Sequence, residues 1–232
     1  MLATWKLANI AVLLAIAQMS SARAHHPGDK LDELLGSKEE YFQAIDRPAP
    51  EFELNDADRN PVALADYSGK VVVLHFIYAS CPDVCPLHAE KLADVQAMIN
   101  QTPMKDMVQF VSVTTDPMND TQDVLRDYGP AHGLDPVNWT FLTTLPVQDE
   151  SAARSLAEEF GHTFTPTEDG YQVHGVVTHI IDRNGRWAAN FHGLKFASLN
   201  MVLYINGLMQ AVQVPASGGE EGWQEWLNDQ FN

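Results

Sequence analysis

The chain has 232 residues, with 31 acidic side chains against 14 basic ones, a net charge of −17 and only two cysteines. A surface this acidic repels phosphate, which excludes nucleic acid and anionic lipid as partners and favours cationic ones.

The first residues read as a targeting segment. Lys6 precedes an apolar stretch over residues 7–17, and Ala22-Arg23-Ala24 supplies a small-x-small cleavage site, the three parts of a secretory signal peptide. The stretch is well short of the ~20 apolar residues that cross a bilayer. Cleavage after Ala24 therefore predicts an exported, periplasmic protein that is soluble and does not span the membrane. Residues 25–46 are polar and acidic and read as a flexible leader, with residues 47–212 as the folded domain.

Within that domain, residues 52–54 and 62–64 flank a polar turn and predict an N-terminal hairpin extension. Val71-Val72-Val73-Leu74-His75-Phe76 reads as a buried strand ending just before Cys81. Pro86 suits the first position of a helix and pushes Cys85 to the cap, and the apolar spacing from Leu87 to Ile99 continues that helix. Strands follow at 108–113 and 138–142, each leading to a helix, at 121–128 and 151–160. Residues 176–181 and 187–191 form a hairpin around Asp182-Arg183-Asn184-Gly185, and 196–212 an amphipathic helix. Alternating elements of this kind predict an α/β fold, a central sheet flanked by helices on both faces. In residues 213–232, Trp223, Trp226, Leu227 and Phe231 against Glu220, Glu221, Glu225 and Asp229 make an acidic amphipathic tail that packs on its own domain.

The cysteines carry the chemistry. Cys81-Pro82-Asp83-Val84-Cys85-Pro86 places two thiols at a strand end before a helix, where they serve dithiol redox or soft-metal binding. Three intervening residues differ from the two of thioredoxin-type exchange motifs. The helix N-terminus lowers thiol pKa in the direction of the ligating thiolate. Four readings stand: a copper site, a zinc site, a structural disulfide, and a thiol-disulfide reductase acting through Cys81 and Cys85. Zinc normally wants four ligands, and a disulfide closing so short a loop stabilises little.

These stretches resemble the Sco/SenC family of copper-handling proteins: residues 75–86, Val113-Thr114-Thr115-Asp116-Pro117 with Asp120-Thr121, and Tyr171-Gln172-Val173-His174. The resemblance covers residues 47–212. It implies a thioredoxin-like fold, copper as Cu(I) or Cu(II), and the metal ligands Cys81, Cys85 and His174. It also implies assembly of the CuA centre of a respiratory oxidase, with an oxidase subunit or other copper acceptor and a thiol reductant as partners. Two thiolates and an imidazole form a soft, low-coordinate set that suits copper. The family usually places an aspartate before the histidine and a Ser or Thr after it. This chain has Val173 and Gly175 there, and His179 where an aromatic is common. Reductases of this fold carry a proline on the loop facing the cysteines, and none lies between Pro166 and Asp182.

The other histidines divide by context. His75, inside a strand, reads as a hydrogen-bonded core residue and His179 as packed. His88 reads as part of a solvated helix face, and His132, His162 and His192 as turn residues without chemistry. His25 and His26 would open the mature chain beside a free amine, a set that binds cupric copper. No group is poised for hydrolysis or hydride transfer, so the protein is not read as a conventional enzyme.

Overall fold

The computed structural model describes residues 29–167 and 170–210, with the side chains of 29–30 and 166–174 outside the description. The signal segment, His25, His26 and the acidic tail lie outside the described residues.

Val71–Ile77 is buried along its whole length and forms β4, the strand on which the architecture is built. A continuous run of β-branched and aliphatic residues suits a strand covered on both faces. It pairs in parallel with β5 (Val108–Thr114), which pairs in parallel with β6 (Trp139–Leu142). On its other side lies β9 (Val177–Ile181), antiparallel, then β10 (Arg186–His192) and β1 (Phe42–Pro48). The result is a mixed six-stranded sheet in the order β1-β10-β9-β4-β5-β6. Two hairpins stand apart from it, β2 (Glu53–Asn55) with β3 (Pro61–Ala63), and β7 (Thr163–Thr167) with β8 (Gly170–His174).

One face of the sheet is covered by α1 (Asp29–Lys38), α2 (Val84–Asn100), α3 (Gln122–Ala131) and α5 (Ser198–Gln210); their buried residues share a cluster with Val71, Val73 and Ile77. On the other face α4 (Ser151–Glu159) meets Val72, Leu74 and Phe76. Helices on both faces of a mixed sheet bear out the predicted α/β class. Gly129 of α3 is required by close approach, since a Cβ there would sit 2.3 Å from the Trp139 ring.

The leader is the main correction. Residues 29–46 belong to the fold: Leu31 and Leu35 of α1 are buried, and β1 extends the sheet by pairing with β10. Polar residues dominate because α1 buries one narrow stripe and β1 is a largely exposed edge strand. A second correction concerns Cys85. The helix starts at Val84 with Asp83 as cap, so Cys85 lies in its first turn and Pro86 is third in the helix. Proline is tolerated there because the first backbone N–H groups of a helix have no carbonyl partner within it.

Candidate metal centre

The cysteine loop leaves the C-terminal end of β4 and is held from the neighbouring strand. The Thr115 amide donates to the Ile77 carbonyl at 2.8 Å. The buried carboxylate of Asp120 accepts the Ala79 amide at 3.1 and 3.2 Å and the hydroxyl of Thr114 at short range. Burial raises the pKa of Asp120 above the usual carboxylate range, against the lowering pull of these bonds. The Asp120-Thr121 step, which reads most simply as a helix start, therefore anchors the loop that presents Cys81.

Cys81 turns back with its amide on the Tyr78 carbonyl at 3.2 Å. The amide of Cys85, in the first turn of α2, donates to Sγ of Cys81 at 3.5 Å. Both thiols are free, and both are buried. Their electrostatics differ. Burial pushes the Cys81 thiol up, but hydrogen bonds from the Cys85 thiol, the Asp83 and Cys85 backbone and the Tyr78 hydroxyl outweigh it and bring its pKa below the ordinary value. Burial pushes Cys85 far up, and donating to Cys81 adds to that. The Tyr78 phenol is held up at about 12, by burial first and then by its bond to Cys81. Cys81 is thus the sulfur that deprotonates first, with Cys85 as its proton-bearing partner.

Behind Cys85 lies a cavity of about 30 Å³ lined by Phe76, Val84, Cys85, His88, Gly175 and Val176. That is room for one ion or one water, not for an organic ligand. Gly175 and Val176 are the two residues between His174 and β9. His174 ends β8, its Cα opposite Thr163 of β7. The backbone therefore returns past Cys85 immediately after His174, whose side chain lies outside the described residues. Among the described residues no three His, Cys, Asp or Glu side chains gather as a metal site. Gly175 has φ of +91°, a conformation that glycine adopts freely and a Ser or Thr does not.

Two histidines occupy places the sequence did not indicate. His88 is buried, not solvated: Nε2 bonds the Thr178 hydroxyl at 2.8 Å and the ring meets His75 edge-on at 4.7 Å. His75 in turn bonds Ser112, which accepts the indole N–H of Trp139 at 2.9 Å. His162 is buried as well, its Nε2 2.9 Å from Nε2 of His179. His179 is packed, as expected, and holds Asn190 Oδ1 through Nδ1 at 2.8 Å. Partners 90 and 17 residues away in sequence leave no local signal of such burial. His132 and His192 remain partly exposed.

Among the described residues no helix is long and apolar enough to cross a membrane. Comparison with known families matches residues 43–209 to SCO1/SenC. A SCO2-like protein of Rickettsia prowazekii is 27% identical over 143 residues, spanning 61% of this chain and 67% of that protein. A SCO1/SenC family lipoprotein of Bacillus anthracis superposes with a TM-score of 0.64 at 24% identity, over 72% of this chain and 97% of that one. ScoI of Bradyrhizobium japonicum with copper bound superposes with a TM-score of 0.57 at 22% identity, over 68% and 98%.

Proposed function

Because the chain belongs to the SCO1/SenC family, we propose that it is an exported metallochaperone whose cargo is copper, held by Cys81, Cys85 and His174. Residues 1–24 are removed on export, and the folded domain, which already includes the helix Asp29–Lys38 and the strand Phe42–Pro48, carries the site. The observation that carries this reading is the pair of free, enclosed thiols, Cys81 Sγ already accepting the Cys85 amide at 3.5 Å, with the backbone that leaves His174 lining the cavity behind Cys85. The copper-bound protein of the same fold and the family's ligand pattern support it. Two thiolates and one imidazole would leave copper a position that an acceptor's ligand could take, the CuA centre of a respiratory oxidase subunit being the acceptor implied. Asp120 and the Thr115 amide keep the loop fixed while ligands exchange.

The test is metal analysis of the reduced protein. It should bind about one copper, with thiolate-to-copper charge-transfer absorption in the cupric form, and Cys81→Ser, Cys85→Ser and His174→Ala should each weaken binding sharply. Wild-type affinity and spectrum in His174→Ala would remove the three-ligand site.

The unequal thiols favour a second reading, thiol-disulfide reductase action on the acceptor. The Cys81 thiolate attacks an acceptor disulfide, forming a mixed disulfide and releasing one acceptor thiolate. Cys85, losing its proton, attacks Cys81 Sγ and releases the other. The acceptor gains two electrons, and a thiol reductant then reduces the resulting Cys81–Cys85 disulfide back to the two thiols. Turnover of generic disulfides at thioredoxin-like rates, unaffected by His174→Ala, would make this the main activity.

A further inference from the structure

α5 ends the described part of the chain with thirteen residues and no charged side chain among them. A helix without a charged face is normally covered on all sides. Met201, Tyr204, Ile205 and Leu208 lie in the core, each no more than 4% exposed. α1 covers a further side, where Leu31 packs against Gly207 and Asp32 accepts the Tyr204 hydroxyl at 2.8 Å. Leu199, at the head of the helix, is left 53% exposed. Leu87 of α2, 49% exposed, belongs to the same surface. Lys91, one turn further along α2, lies over the Phe196 ring at 5.0 Å, and Phe196 precedes Leu199 by three residues. Neither Lys91 nor the neighbouring Lys195 makes an ion pair with a described residue, in a chain where acids outnumber bases 31 to 14. Two bare apolar side chains and two unpaired ammonium groups thus mark the seam between α2 and α5.

The chain itself carries one segment of matching chemistry. Trp223, Trp226, Leu227 and Phe231 stand among Glu220, Glu221, Glu225 and Asp229. Its tether is long enough: Gln210 is roughly 17 Å from Leu199 along α5, and residues 211–222 can span up to about 40 Å. We propose that residues 220–231 dock on this seam, their apolar side chains on Leu87 and Leu199 and their carboxylates toward Lys91 and Lys195. Tethering sets an effective concentration on the order of millimolar, so a modest patch can hold the segment. Leu87 shares the first turn of α2 with Cys85, so the docked segment gives the cysteine loop an acidic border, whether or not the thiols carry copper.

The two indoles of the segment supply the test. In the full-length protein, subtracting the fluorescence of Trp223→Phe/Trp226→Phe from that of its parent isolates their signal in any background. In the wild type they should emit at shorter wavelength than exposed indole, and acrylamide should quench them several-fold more slowly than in the urea-unfolded chain. Leu199→Asp should abolish that protection, while Val147→Asp, at a side chain 92% exposed elsewhere, should leave it intact. Lys195→Glu should weaken it, and adding Glu221→Lys with Glu225→Lys should restore it; this pair decides the matter if Leu199→Asp fails to fold. Indoles as accessible as in urea would mean that the segment docks nowhere on the domain. Protection that survives both Leu199→Asp and Lys195→Glu would place it on another surface, and protection that grows with protein concentration would make the cover a second copy. Each of these three results overturns the inference.

Discussion

His162 and His179 meet Nε2 to Nε2 at 2.9 Å in the core, so one of the two nitrogens carries the hydrogen and the other accepts it. Asn190 Oδ1 assigns the roles, since it accepts the Trp187 indole N–H at 2.7 Å and the Nδ1–H of His179. His179 is then the acceptor at Nε2 and His162 the donor. The pair ties the start of β7 to β9 and so roots the hairpin that carries His174. We predict that His179→Leu, of similar volume, removes the acceptor for His162 and one donor to Asn190, costing about 2–4 kcal/mol in urea unfolding. A loss below about 0.5 kcal/mol would show that shape alone matters there.

Acid should destabilise the protein in a defined window. Burial, together with histidine neighbours, holds His88 down to about 3 and His75 and His179 well below their ordinary value. In the unfolded chain these rings take protons near pH 6.5, while in the folded one they stay neutral. The unfolded state therefore binds more protons below pH 6.5, and stability falls as pH falls, by up to about 1.4 kcal/mol per pH unit for each histidine. Urea midpoints should be level from pH 8 to 7 and drop between pH 6.5 and 5. His88→Gln should make that drop shallower; an equal slope would remove His88 from the account.

Gly175→Ala should separate backbone strain at the site from strain elsewhere. At φ of +91° a side chain costs about 1–2 kcal/mol. Gly185, at φ of +77° in the β9–β10 turn, sets the control. Both alanine variants should lose comparable stability, but only Gly175→Ala should weaken copper binding, as it adjoins His174 and the cavity beside Cys85. Equal copper affinity in the two would detach that segment from the metal.

Copper and redox state should be coupled through stability. A ligand that binds only the folded state stabilises it by roughly 4 kcal/mol at a thousandfold excess over its dissociation constant. The reduced protein should show a clear copper-induced rise in melting temperature. The oxidised one, its sulfurs joined as Cys81–Cys85, should show almost none. Identical shifts would place the dominant site elsewhere, with His25 and His26 first to be tested by truncation at Leu31.

What was legible in the sequence followed strong local signals. The run before Cys81 and the glycine turn at residue 185 each specify their element without help from distant residues, as β4 and the β9–β10 hairpin show. β1 was not legible because an edge strand paired on one side carries little apolar pattern. The β7–β8 hairpin was missed for a related reason: its two strands pair only with each other, outside the main sheet. Reading His88 as part of a solvated face and His162 as a turn residue misses their burial, because imidazole burial depends on a partner supplied by the tertiary fold.

Enclosure of the two thiols also governs how the protein ages. A sulfur attacked by peroxide first becomes a sulfenic acid, which is lost irreversibly only if a second oxidant arrives before a neighbouring thiol condenses with it. Here that neighbour lies four residues away within the same turn, and the burial that surrounds both slows the second encounter. Accidental oxidation therefore ends at the reversible disulfide. With no other cysteine in the chain, that disulfide has no third thiol with which to scramble.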